Sequence, residues 1–172
     1  MKRPRPPKLE IEPEPFDRLL DRLGFTLIII LVLMVAVSFS GLPELVPTHF
    51  DFSGEVTSTG SRYMLLLLPL MGAMTFMMIY FLNKAPHTFN YTVTITEENA
   101  AHEYRKATRM MRWVNLICAL LFTFITFTTI ATAHGFTKGL NSFIMTLIMA
   151  ALFGVIGYYL LYDRIHKPEN KV

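Results

Sequence analysis

Four stretches of the chain contain no Asp, Glu, Lys or Arg: Leu23–Pro43, Tyr63–Asn83, Trp113–Thr137 and Gly139–Tyr162. The shortest hold 21 residues. A helix rises about 1.5 Å per residue, so each run reaches roughly 30 Å, one hydrocarbon thickness. A surface helix of a water-soluble fold carries charge on one face at nearly every turn, and these runs carry none. The pattern predicts an all-α membrane fold, a four-transmembrane-helix bundle with spans at about 23–42, 63–83, 113–133 and 141–162.

The basic residues then orient the bundle. Of the 16 Lys and Arg residues, only Arg62 and Lys138 lie between the first and second or the third and fourth spans. The others precede the first span, separate the second from the third, or follow the fourth. By the positive-inside rule both termini and the middle segment are cytoplasmic, and the loop 43–62 faces out. The net charge of +3 is thus accounted for by topology, with the lipid bilayer as partner and no nucleic acid. Cys118 is the single cysteine, so an intrachain disulfide is excluded.

Residues 1–15 are rich in proline and charge and read as a disordered, solvated cytoplasmic tail ahead of a membrane domain over 16–172. From Phe16 a short amphipathic helix is expected along the interface, running into the first span, with Phe16, Leu19, Leu20 and Leu23 on its apolar face and Asp17, Arg18, Asp21 and Arg22 opposite. The five acids before the first span argue against a cleaved signal peptide.

In the second span, Met71, Met74 and Met78 share a face. Thioethers are soft copper(I) ligands, but packing is the expected use, since no methionine cluster in the outer loop would receive the metal. Pro69 is a candidate kink. The middle segment 84–112 reads as a short strand, Tyr91–Ile95, then a helix from Glu97 to about Arg112. Arg105, Arg109 and Arg112 are its candidate cytoplasmic contacts, within reach of lipid phosphates. The threonines of the third span are expected to bond to helix carbonyls, and Asn115 to lie near an interface. Ala150 and Gly154 give the fourth span small-xxx-small spacing, suited to close helix approach.

Polar chemistry concentrates in the outer loop. Pro43 and Pro47 stiffen it, and Gly54 is the position for a positive φ. Pro47, His49, Phe50, Asp51, Gly54 and Glu55 are the candidate ligand-binding residues. Phe50 and Phe52 are expected to pack on the outer ends of the first and third spans, with His49 and Asp51 on the other face. His49, Asp51 and Glu55, joined by His134, could ligate a metal, but the spacing matches no established site. A hydrogen-bonded structural His49, turn-capping acids and no metal or other cofactor are the expectation. No catalytic residues emerge either. Cys118 has no His or Asp near it in sequence, so no enzyme is expected.

The motif Leu42-Pro43, Val46-Pro47, His49-Phe50-Asp51, Gly54-Glu55 and Gly60-Ser61-Arg62 resembles the membrane domain of unknown function 1648, the front domain of SdpI-type immunity and signalling proteins. The likeness runs over about residues 24–82, and Asn90–Trp113 is similar to short single-domain relatives. The Gly-x-Arg-Thr-Pro stretch of the SdpI-type second half does not occur. The resemblance implies an integral protein of a bacterial cytoplasmic (inner) membrane. Its function would be extracytoplasmic ligand or toxin sensing, or immunity, with a peptide as ligand. The alternative is an accessory subunit of a larger membrane complex or transporter, packed beside another membrane protein or a second copy of itself.

Overall fold

The structure, a computed structural model, describes residues 6–165. Lys2, Arg3, Arg5, Lys167 and Lys171, which contribute to the charge asymmetry, lie outside the described residues. Four helices form the framework: α1 (Pro15–Ser38), α2 (Leu67–Leu82), α3 (Ala100–Ala133) and α4 (Ser142–Ile165). With their flanking turns, all four are long and apolar enough to cross a membrane, and the apolar window of each is only 6–33% buried. Ile29, Ile30, Leu33, Met74 and Phe153 stand 45–65% exposed around the bundle. Such an apolar exterior has no stable place in water and requires lipid around it. The chain is an integral membrane protein.

α3 is the central helix, packed against α1, α2 and α4. Between helices α1, α2 and α3 lies a core of Ile28, Leu31, Phe76 and Ala119. Gly24 makes the closest approach possible: a Cβ there would sit 2.4 Å from the Phe76 ring. α3 also supplies the polar contacts in this layer. Thr123 donates to its own helix at Ala119 O (2.8 Å) and lies 3.4 Å from Leu27 O of α1. Asn115 is buried, not interfacial, and donates to Phe76 O at 3.1 Å.

Several sequence expectations change in three dimensions, although the helix from Phe16 runs into the first span as expected, the two forming one continuous helix. Its buried face holds Asp17, Leu20, Gly24 and Ile28, whereas Phe16, Leu19 and Leu23 are turned outward. The acids face inward because arginines of α3 stand opposite them. No strand forms at Tyr91–Ile95. A lone strand has no ladder partner for its backbone, and here Ile95 instead packs with Ala100 and Tyr104. The following helix begins at Ala100, three residues later than expected, after a turn in which the Asn99 side chain accepts from Thr96 N (2.9 Å). It continues without a break into the third span. Pro69 falls in the first turn of α2, where its missing N–H costs nothing. Met71, Met74 and Met78 do not pack within the chain; they are 52–64% exposed on the lipid side. The Ala150–Gly154 face is likewise open, with no atom within 4 Å of a Cβ built at Gly154.

The segment 6–14 adopts no regular element, yet it is tied down. The Tyr104 hydroxyl donates to Pro7 O at 2.8 Å, and Ile11 packs on the Ile95–Tyr104 cluster. From Pro7 onward, the segment read as a solvated tail therefore lies against the helices.

Candidate functional site

Two polar assemblies occupy opposite ends of the bundle. At one end, residues between α1 and α2 form an antiparallel hairpin of β1 (Leu45–Phe50) and β2 (Val56–Ser61). β1 alternates inward at Val46, which joins Val35, Leu42, Leu65 and Ile130 in a core that seats the hairpin on the helices. Register irregularities around His49 bend the strand just before the turn. Arg62 closes the base: its N–H donates to Glu44 O at 2.9 Å, and its guanidinium donates to Leu42 O at 3.2 Å and lies over the Phe39 ring.

The turn at residues 51–54 is built around Asp51. Its carboxylate accepts from Ser53 Oγ (2.6 Å) and from Glu55 N (2.9 Å). These bonds, the Ser53 hydroxyl foremost, hold the Asp51 pKa below the ordinary carboxylate value. Gly54 takes φ +89°, the conformation its position in the sequence calls for. Its carbonyl accepts from Leu140 N at 2.8 Å, and Glu55 bridges Gly139, so the turn is clasped to the loop between α3 and α4. A Cβ on Gly54 would fall 1.8 Å from Leu140 O.

The candidate ligand residues therefore divide. Pro47 is buried in the hairpin base, and Asp51 and Gly54 are spent on the turn. His49 is exposed, with Nδ1 2.7 Å from Ser58 Oγ across the hairpin. Glu55 is exposed. Phe50 is half-buried beside a groove of about 240 Å³ that also touches Leu68, Ile125 and Thr129. Phe52 does not pack on the span ends: it stands fully exposed at the tip, because strand alternation stops at Phe50. Phe136 of the facing loop is also exposed (83%), with His134 stacked on it. Among the described residues, no three His, Cys, Asp or Glu side chains converge as a metal site.

At the opposite end, α1 and α3 run parallel and join through a ladder of ion pairs. Asp17 accepts from Arg109 Nε at 2.8 Å, Glu14 from Arg109 Nη2 at 2.6 Å, and Asp21 from Arg112 Nε at 3.1 Å. Arg105 also pairs with Glu14. Hydrogen bonding by Arg109 holds the Glu14 carboxyl below its ordinary pKa. The three arginines read as cytoplasmic contacts are thus engaged within the chain. Beside this ladder lies a cavity of about 410 Å³, not foreseen from the sequence, walled by Phe89, Tyr91, Met110, Met111 and Leu160, with the Glu103–Lys106 pair (2.8 Å) at its edge. The Tyr91 hydroxyl donates to Pro86 O at 2.9 Å, and burial raises its pKa well above the usual phenol value. The ladder is visible in retrospect as acids at 14, 17 and 21 against arginines at 105, 109 and 112, matched in helical spacing. The cavity leaves no such trace.

The hairpin and its seat, from the second turn-pair of α1's apolar run to the first turns of α2, coincide with a known family. Residues 26–73 match DUF1648, a domain of unknown function. The DUF1648 segment thus contains the whole hairpin and excludes α3, α4 and the ion-pair ladder. An uncharacterized protein of Archaeoglobus fulgidus is 42% identical over 64 residues, covering 36% of this chain and 35% of that protein. The chain thus spans about a third of that relative's length. No solved structure matches the chain.

Proposed function

We propose that the protein sits in a bacterial cytoplasmic membrane with both termini inside, and that the hairpin is an extracytoplasmic recognition element for a peptide ligand, in sensing or in immunity of the SdpI type. The observation that carries this reading is the fixed turn with Phe52 wholly exposed on it. An aromatic ring held in water on a rigid frame is surface prepared for a partner, because its ordering cost is met before binding. His49, three residues before it in the chain, is also exposed. The role is binding without catalysis.

Cells producing the protein would be challenged with a panel of membrane-active peptides. The reading expects protection that Phe52→Ala and His49→Ala abolish at unchanged membrane abundance. Protection indifferent to both substitutions, or lost only in step with abundance, would refute it. A second reading, an accessory subunit, is favoured by α4, whose apolar window is 6% buried and whose Ala150–Gly154 face is open. A stoichiometric membrane partner retained in mild detergent, and lost on Gly154→Leu, would select it.

A further inference from the structure

The cavity at the ladder end of the bundle borders a second recess. The larger chamber, about 410 Å³, and a neighbouring recess of about 240 Å³ share Lys106 and Tyr159 in their walls. Their linings differ in kind. The chamber is faced by Leu82, Phe89, Met110, Met111 and Leu160. The recess is faced by His102, Arg105, Lys106 and Arg109, with no acid among the described residues of its wall. Leu82 ends α2, and Leu160 lies near the C-terminal end of α4, so the pair of cavities opens where the apolar spans finish. That is the level of lipid headgroups.

We infer that these adjoining cavities are a binding site for a membrane phospholipid, its phosphate in the basic recess and its glycerol and upper acyl chain in the apolar chamber. Their combined size suits an amphiphile of that class. The charge balance decides against a free anion. Glu14 and Asp17 already neutralise Arg105 and Arg109 from the α1 side, and Glu103 neutralises Lys106. With little net positive field, the recess offers directed N–H donors rather than long-range attraction. A phosphate held there needs the apolar chamber to add affinity, and only a lipid supplies the chains for it. The site lies outside the DUF1648 segment, and its occupancy is independent of hairpin recognition.

The test uses the full chain in maltoside micelles, following thermal unfolding as dioctanoyl phosphatidylglycerol, dioctanoylglycerol or inorganic phosphate is added. A saturable rise in Tm with phosphatidylglycerol alone is expected. Ala107→Trp, which fills the chamber, and Lys106→Gln, which replaces a charged ammonium donor by a shorter neutral amide, should each weaken the apparent Kd about tenfold or more. Met78→Trp on the outer face of α2 should leave it unchanged. Each variant is compared with its own lipid-free Tm, and Lys106→Gln decides the matter if Ala107→Trp does not fold. An equal rise with dioctanoylglycerol, an equal rise with inorganic phosphate, a response that never saturates, or wild-type affinity in both variants would overturn the site.

Discussion

At the scale of single residues, the hairpin turn depends on two positions that act differently. Gly54 combines a left-handed φ with a carbonyl 1.8 Å from where a side chain would begin. Gly54→Val should therefore destabilise the protein by about 2 kcal/mol or more. Thr57→Ala, on an exposed stretch of β2, should change stability by less than about 0.5 kcal/mol. Thermal unfolding of both variants in detergent checks the contrast. Asp51 acts through charge. Its folded pKa is depressed, so its contribution is complete above the ordinary carboxylate value and is lost as pH falls through the lowered one. The protection of the Glu55 amide, the slowing of its exchange relative to an unstructured chain at the same pH, should be high at neutral pH and fall as the solution is acidified below about pH 4. Asp51→Asn should flatten that dependence. The glycine was legible in the sequence because a turn between stiffened flanks demands it; the clasp to Leu140 was not, since it joins residues far apart in the chain.

At the scale of elements, the parallel packing of α1 on α3 rests on ion pairs of unequal burial. Asp17 is 3% exposed at its side chain and pairs with Arg109. Removing the arginine would strand a desolvated carboxylate, so Arg109→Ala should cost about 3–5 kcal/mol. Arg105 and Glu14 are 50% and 39% exposed, and Arg105→Ala should cost no more than about 1 kcal/mol. Denaturation of the two variants, with Asp17→Leu combined with Arg109→Met as a partial rescue, measures the difference. Hydropathy identified the helices but gave no sign that Asp17 turns into the bundle. The rule that apolar residues turn inward inverts where lipid is the solvent, and Phe16 and Leu19 face out while Asp17 turns in. The strand expected at Tyr91–Ile95 failed for a different reason. Alternation describes which residues could pair, but pairing needs a neighbour, and none is available there.

At the scale of the whole molecule, four charge-free runs sufficed to predict four spanning helices, because a backbone in lipid must form helices or a closed barrel, and barrel strands are about half as long and alternate in polarity. The proposed orientation rests on the Lys and Arg asymmetry, and the two polar assemblies fall at opposite ends of the bundle. The orientation is tested by cysteine accessibility in a Cys118→Ser background. Phe52→Cys, at the exposed hairpin tip, and Glu98→Cys, in the turn before α3, are labelled in separate strains with a membrane-impermeant maleimide. The account predicts that Phe52→Cys reacts in intact cells and Glu98→Cys only after lysis. Reaction of Glu98→Cys in intact cells, with Phe52→Cys protected until lysis, would contradict it.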